Sequence, residues 1–245
     1  MKTLIKNGLV VDPANLVQTH LNLLLEDGKI VAVTEEEPEA DRVIDAAGKV
    51  VAPGFIDIHM HEDPVKDDKI QFCIFDAMLR MGVTTAVGGN CGINVYDPVK
   101  YLDLLERDGA PVNVMMFAGH QYYREAAGAL DKYSPVTEEQ RKMMKKGLEE
   151  ALEAGCVGIS YGLRYVPGTG REEFLDTASC CQKEHRLISA HVRDDEERVF
   201  GAVAEVAEAG KIFDIPVEIS HIGSMAGFGQ MEQLLKQVDG YRMNG

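Results

Sequence analysis

Two histidines spaced two residues apart, His59 and His61, carry side chains that could hold a metal ion. They end the segment GFIDIHMH, which follows Pro53 and is otherwise apolar apart from Asp57. Because successive side chains of a strand point to opposite faces, Asp57, His59 and His61 are predicted to share one face. Two imidazoles side by side at a strand end can bind one Zn²⁺, with Asp57 orienting a ligand from behind. The alternative is a pair of solvent-exposed loop histidines.

The elements that must position these side chains follow a repeating pattern of apolar strand and helical stretch that begins at Gly54. The six predicted strands cover residues 54–61, 84–91, 112–119, 155–162, 186–193 and 216–223. Asp97 followed by Pro98 predicts one helix start, and Thr137 with Gln140 predicts a capping box. Repeated βα units are typical of a parallel sheet, so the fold class is α/β.

Apolar residues at helical spacing are predicted to be core. They are Met144, Leu148, Ala151 and Leu152 in one helix, and Val199, Val203, Val206 and Ala207 in the next.

A (β/α)8 TIM-like barrel accommodates these units, although it needs eight strands and typically about 250 residues. Six strands lead us to expect a barrel truncated after about its sixth strand, spanning residues 53–245 and carrying the metal site. Residues 1–52 are predicted to be a small N-terminal β-sandwich appendage with a hairpin at Asp27-Gly28. A homo-oligomer or a complementing C-terminal segment is expected to cover the open strand edges.

The charge of the chain argues against two classes of partner. Lys and Arg number 25 and Asp and Glu 40, which gives a formal net charge of −15. Such a field repels nucleic acid and anionic membranes, and no apolar run approaches the roughly 18 residues of a membrane span. The five cysteines lack a disulfide-rich spacing, so reduced thiols and a cytoplasmic location are predicted.

Two motifs connect the chain to a known family. The segment PGFIDIHMHED resembles the first-strand motif of the amidohydrolase superfamily, whose members have a barrel of the metal-dependent hydrolase type. The segment VGGNCG, residues 87–92, is similar to the second-strand motif of the N-acyl-D-amino-acid deacylase, or D-aminoacylase, family. A cysteine thiolate ligates zinc in that family, which implies that Cys91 is a ligand.

Two later segments, ISAHVRDDEERV and VEISHIGSMAGFGQ, resemble the fifth and sixth strands of the same family. This resemblance implies that His191 and His221 complete the metal site, which would hold one or two zinc ions. Taken singly, Cys91 could be a small buried thiol and each histidine a hydrogen-bonded core residue. Nitrogen and sulfur donors together suit Zn²⁺ better than Mg²⁺ or Ca²⁺.

The resemblance implies a zinc-dependent hydrolase of a C–N amide bond, above all one that deacylates an N-acyl-D-amino acid or a related small-molecule amide. The family's general base, an aspartate at the end of the eighth strand, is expected beyond residue 245. The chain alone is therefore predicted to be poorly active. One departure concerns the substrate: these deacylases carry a lysine two positions after the sixth-strand histidine, where this chain has Gly223.

Two alternatives to a deacylase remain. A cyclic amide hydrolase of the dihydroorotase or hydantoinase kind carries a carbamylated lysine on strand four, but GCVGISYGL contains no lysine. The second alternative is a non-catalytic zinc-binding fragment that needs a partner chain.

The candidates for substrate binding are Arg193, Tyr161 and Tyr165. Arg193 could meet a carboxylate bidentately, or it could form a salt bridge with Asp194 or Asp195. Tyr161 and Tyr165 lie where the fourth strand would open onto the site, although either could equally be packing.

Overall fold

The computed structural model describes residues 1–244 as a mixed α/β fold, as predicted. The chain divides into two compact units, Met1–Phe55 and Ile56–Gly245. The boundary predicted from the sequence lies between residues 52 and 53.

The unit Met1–Phe55 contains one five-stranded sheet. Its strands are β1 (Lys2–Asp12), β2 (Val17–Glu26), β3 (Lys29–Thr34), β4 (Arg42–Asp45) and β5 (Val50–Val51). Strand β1 pairs antiparallel with β2 and parallel with β4 and β5, and β3 pairs antiparallel with β2. Asp27 and Gly28 both have positive φ, 50° and 78°, which is the geometry of the predicted two-residue hairpin. A single sheet accounts for these strands, so the predicted sandwich is not confirmed.

The unit Ile56–Gly245 alternates strands and helices. Its strands are β6 (Phe55–Asp57, which crosses the boundary), β7 (Val65–Lys66), β8 (Lys69–Ile70), β9 (Val83–Gly88), β10 (Asn113–Met116), β11 (Ala118–Gly119), β12 (Gly158–Gly162), β13 (Leu187–His191) and β14 (Val217–Ile219). Its helices are α1 (Ile74–Arg80), α2 (Pro98–Asp108), α3 (His120–Ala126), α4 (Glu138–Glu153), α5 (Arg171–Ala178), α6 (Val199–Phe213), α7 (Ile222–Met225) and α8 (Met231–Asn244).

The larger strands form two sheets, in the orders β10-β9-β6 and β11-β12-β13-β14, while β7 and β8 form a separate hairpin. Strands β9 and β10 are parallel, and so are all the pairs of the second sheet. The predicted parallel arrangement is therefore confirmed for these pairs. Parallel strands bring their carboxyl ends to one edge, which is where the candidate ligands lie.

Every predicted strand segment contains a strand, but the observed strands are shorter. Strand β6 ends at Asp57, so His59 and His61 follow the strand instead of belonging to it. Ile58 is 43% exposed whereas Met60 is 5% exposed, so the regular alternation of a strand does not continue through the two histidines. The Asp57 carboxylate accepts a hydrogen bond from the His59 amide at 3.0 Å. The early end of the strand thus coincides with a local side-chain-to-backbone bond, of the kind that competes with strand pairing.

The predicted helix starts are confirmed. The Asp97 side chain accepts from the Lys100 amide with Pro98 as the first helical residue of α2, and Thr137 and Gln140 form both bonds of the capping box of α4. These caps satisfy amides that have no partner within the helix.

The predicted apolar stripe of α4 is buried throughout, and that of α6 is buried except for the half-buried Ala207. The core therefore lies between the parallel strands and the helices that connect them. Among the described residues, no helix is both long and apolar enough to cross a bilayer.

Candidate metal centre

The five predicted ligands fall into two groups that share one sulfur atom. The groups are His59, His61 and Cys91, and Cys91, His191 and His221, and the ligand atoms within each lie no more than 4.8 Å apart. The Cys91 Sγ atom lies 3.5 Å from His59 Nε2, 3.8 Å from His221 Nε2 and 4.0 Å from His191 Nδ1. Cys91 is therefore the central member of the cluster, hereafter the metal cluster.

These distances fit a zinc ion. Bonds of roughly 2.0 Å to nitrogen and 2.3 Å to sulfur place the two donors of a tetrahedral site roughly 3.6 Å apart. The observed nitrogen-to-sulfur distances lie close to that value. A thiolate with imidazoles is also the donor set that Zn²⁺ prefers over the oxygen ligands of Mg²⁺. The residues present therefore fit zinc in both chemistry and spacing.

The surroundings of the cluster keep two of its imidazoles, those of His59 and His191, in the neutral form. Burial, followed by the neighbouring imidazoles of His221 and His61, lowers the pKa of His59 to about 4. Burial and the imidazoles of His221 and His59 lower the pKa of His191 to about 4. Both rings are therefore neutral at pH 7, which is the form that donates a lone pair to a metal ion.

The Cys91 thiol is also held in its neutral form, which for a thiol means a raised pKa. Burial, together with the charge of Glu218, raises the pKa of Cys91 to about 11, so the thiol holds its proton in the absence of a cation. Metal binding at this position would require the loss of that proton.

Two of the candidate ligands, Cys91 and His221, occupy unusual backbone conformations. Cys91 has φ +57° and His221 has φ +35°, in the left-handed region that residues other than glycine rarely adopt. Such a residue costs about 1–3 kcal/mol and persists only when its surroundings hold it. Gly92, next to Cys91, has φ +76°, and a Cβ atom there would lie 2.9 Å from the Gly162 nitrogen. The Cys91 turn therefore depends on close backbone contact as well as on left-handed geometry.

Polar side chains in strands β13 and β14 and directly after β14 orient His59. Its Nδ1 atom lies 3.1 Å from Ser220 Oγ, and the Ser220 hydroxyl in turn donates to Glu218 at 2.8 Å. The Ser189 hydroxyl donates to the same carboxylate oxygen at 2.7 Å. The Ser220 contact directs the other nitrogen, Nε2, toward Cys91. Sequence reasoning missed these residues, although polar side chains in buried parallel strands, which are usually continuous apolar runs, were the available signal.

Asp57 contacts His59 through the backbone, as described above, and so does not belong to either ligand group. The predicted role of Asp57 in orienting a ligand stays a prediction.

The three candidate substrate-binding residues lie in different surroundings. The Tyr165 ring lies 4.5 Å from the His191 ring and is 40% exposed, so it borders the metal cluster. The Arg193 guanidinium binds Glu205 at 2.8 Å, a partner that the sequence analysis did not anticipate. In the described part of the chain, Asp194 and Asp195 pair instead with arginines other than Arg193.

Tyr161 lies in the core. Its hydroxyl donates to Thr177 at 3.0 Å, and its ring packs edge-on against Phe174 at 4.9 Å between centroids. These contacts agree with the packing alternative. The structure does not bring Tyr161 into the metal cluster.

Comparison with known proteins agrees with the geometry. A sequence profile described as the amidohydrolase family matches residues 42–164. The chain is 29% identical to a D-aminoacylase from Alcaligenes xylosoxydans xylosoxydans over 96% of its own length and 54% of that protein. It is also 28% identical to a dihydroorotase from Enterococcus faecalis, over 88% of the chain and 48% of that protein.

A solved structure extends the likeness to three dimensions. The N-acyl-D-glutamate deacylase from Bordetella bronchiseptica, complexed with zinc and a phosphonate inhibitor that mimics the tetrahedral intermediate, superposes with a TM-score of 0.85 at 28% identity. The superposition covers 99% of this chain and 56% of that one. The chain thus spans about half the length of the relatives it matches.

Proposed function

The chain belongs to the amidohydrolase family, and from this premise we propose that it forms the metal-binding part of a zinc-dependent hydrolase. The reaction proposed is the deacylation of an N-acyl-D-amino acid or a related small-molecule amide. The observation that carries this proposal is the position of the Cys91 sulfur, within 4.0 Å of three imidazole nitrogens. The D-aminoacylase and the zinc-containing deacylase among the relatives support it.

Each residue of the metal cluster would have a definite role. Cys91, His191 and His221 would hold one zinc ion, and His59 and His61 would hold a second ion that shares the Cys91 sulfur. Zinc, when bound, supplies Lewis-acid polarisation of a carbonyl group and lowers the pKa of water. Ser220 would keep His59 in the tautomer and orientation that ligation requires.

Tyr165 is the proposed substrate contact, because its ring borders His191 while remaining accessible. Glu205 occupies the Nε and Nη2 donors of Arg193, so this guanidinium would meet a substrate carboxylate either through Nη1 or by leaving Glu205. No lysine follows His221 by two positions, since Gly223 stands there, so recognition of a carboxylate by this chain would differ from that of the family.

We also propose that the parallel strands belong to a (β/α)8 TIM-like barrel, with residues 53–245 as its metal-binding part and residues 1–52 as a separate N-terminal domain. The parallel pairing and the position of the ligands at the carboxyl ends of strands support this assignment. Strands β6 and β14 each pair on one side only within residues 1–244. A complementing C-terminal segment or a second copy would cover these edges, and such a segment would supply the general base. The free cysteines support a cytoplasmic location.

A cyclic amide is the second candidate substrate, and the dihydroorotase relative is the observation that favours it. Strand β12, where a carbamylated lysine would be expected, reads GISYG and offers no such group. The deacylase proposal therefore has the stronger support.

The test compares zinc-loaded with metal-free protein on N-acetyl-D-amino acids, their L-enantiomers and dihydroorotate. We expect slow, zinc-dependent hydrolysis of the D-substrates, because general acid–base assistance typically contributes about 10² to 10⁴-fold and no residue of this chain is assigned that role. Zinc-dependent turnover of dihydroorotate alone would favour the cyclic amide. A protein that retains no zinc after supplementation would refute both proposals.

A further inference from the structure

Glu62, the residue after His61, is a buried carboxylate that holds the loop carrying Cys91. Its side chain is 3% exposed. One carboxylate oxygen accepts a hydrogen bond from the Gly89 amide at 2.8 Å, and the other accepts from the Val95 amide at 2.9 Å. The two amides lie on either side of Cys91, so Glu62 closes the loop 89–95 at both ends.

This loop needs such support because it leaves the sheet before it reaches the ligand. Strand β9 ends at Gly88, three residues before Cys91, and Cys91 itself adopts a positive φ of +57°. Asn90 and Ser160 also bond the loop, through neutral groups. A hydrogen bond to an ionised carboxylate is roughly twice as strong as one between neutral groups. Glu62 is therefore the carboxylate that holds both ends of the turn.

We propose that Glu62 is a positioning residue that places the Cys91 thiolate for metal binding. It also links the two ligand groups, because it follows His61 directly in the chain and binds the loop of Cys91. A shift of this carboxylate would move the HxH segment and the thiolate relative to each other. The proposal rests on the metal site of the proposed function and adds to it the residue that sets the geometry of that site.

The neighbouring residue, Asp63, offers a matched control. It is also a fully buried carboxylate that accepts backbone hydrogen bonds, but its donors are the amides of Cys73, Ile74 and Phe75. These amides belong to the start of α1 and not to the loop 89–95. Loss of the Asp63 charge should therefore weaken the fold without moving Cys91.

The experiment compares Glu62→Gln with Asp63→Asn in the full 245-residue chain. Co²⁺ serves as the metal probe, because a thiolate ligand produces a charge-transfer absorption that reports on Cys91 directly. A glutamine retains one acceptor oxygen but turns an NH₂ group toward the second amide. Loss of an outer hydrogen-bond partner typically lowers metal affinity about 10–100-fold, and we expect a loss of that size in Glu62→Gln. Asp63→Asn should lower the unfolding temperature and leave Co²⁺ affinity unchanged.

Amide hydrogen exchange in the metal-free protein gives a readout that does not depend on the metal. Exchange at Gly89 and Val95 should become faster in Glu62→Gln and should not change in Asp63→Asn. If the unmodified protein shows no thiolate absorption with Co²⁺, the proposed metal site fails. The exchange data still decide whether Glu62 holds the loop 89–95.

Two results would overturn the proposal: a folded Glu62→Gln protein with unaltered exchange and Co²⁺ affinity, or equal losses of affinity in both variants. If Glu62→Gln does not fold, Glu62→Asp replaces it. The shorter carboxylate keeps the charge but cannot reach both amides, so a smaller loss of affinity is expected. Unaltered affinity in Glu62→Asp would contradict the proposal equally.

Discussion

Two polar clusters in the unit Ile56–Gly245 each contain a buried histidine at the carboxyl end of a parallel strand. In the metal cluster, His191 ends β13 and faces Cys91 and two other imidazoles. In the second, hereafter the ion-pair cluster of His120, Arg124 and Glu173, His120 directly follows β11 and lies 2.9 Å from the Glu173 carboxylate. The two histidines are 8% and 1% exposed.

The difference lies in the neighbours of each histidine. The ion-pair cluster balances charges, because Arg124 also binds Glu173, at 3.1 Å, and donates to backbone carbonyls of the segment 129–134. The metal cluster contains no carboxylate ligand and no cationic side chain, so its lone pairs converge without a positive partner. In this chain we therefore interpret His120 as a structural residue and His191 as a candidate ligand. Substitutions of single residues in the two clusters test this difference.

The largest expected effect concerns the sulfur that both ligand groups share. Cys91→Ala should reduce tightly bound zinc to roughly a tenth of its value or less, because the anionic ligand is lost. Cys180→Ala, which removes another free thiol outside both groups, should leave the zinc content unchanged. Metal analysis after zinc-supplemented expression measures both. Equal losses in the two variants would show that Cys91 has no special role.

The two histidines provide the most direct comparison. His191→Gln should remove zinc from the protein, because it deletes one donor of the Cys91 group. His120→Gln should leave zinc in place and lower the free energy of unfolding by about 1–3 kcal/mol, the usual result when a buried hydrogen bond is impaired. Metal analysis and urea denaturation of both variants are the measurements. Zinc loss in His120→Gln would remove the distinction between the clusters.

Breaking the ion pair should affect stability alone. Arg124→Met leaves the 3%-exposed Glu173 without its strongest cation, and removal of one partner of a buried pair costs about 3–5 kcal/mol. The free energy of unfolding should fall by that amount, while the protein that remains folded keeps its zinc. A loss below about 1 kcal/mol, the value typical of an exposed pair, would mean that this ion pair contributes little.

The smallest expected effect is at the residue that orients His59. Ser220→Ala removes the hydroxyl 3.1 Å from His59 Nδ1 and should weaken zinc binding by up to about tenfold, with little change in stability. Competition with a chelator of known affinity measures the change. Ser179→Ala is a suitable control, because the Ser179 hydroxyl donates to the Asp176 carbonyl at 2.6 Å and its partners, Asp176 and Lys145, lie outside the metal cluster. A larger loss in the control would reverse the assignment.

Several features of the fold were predictable because they depend on local interactions. The hairpin at Asp27 and Gly28 requires positive φ at both positions, and these residue types tolerate it. The caps at Asp97 and Thr137 join side chains to amides three residues away. The apolar stripe of α4 reflects the helical period alone. Strand lengths were predicted less well: β6 ends at Asp57, four residues before the predicted end at His61.

The amino-acid sequence by itself determined which donor types were available and in what order they occur along the chain, because HxH, NCG and the two later histidines are local motifs. Only the tertiary structure decided which of the similar residues meet. Tyr165 borders His191 whereas Tyr161 lies in the core, Arg193 binds Glu205, and Glu62 spans the Cys91 loop. These contacts join residues 12 to 33 positions apart. Their formation depends on how parallel strands and their loops pack, which no local pattern encodes.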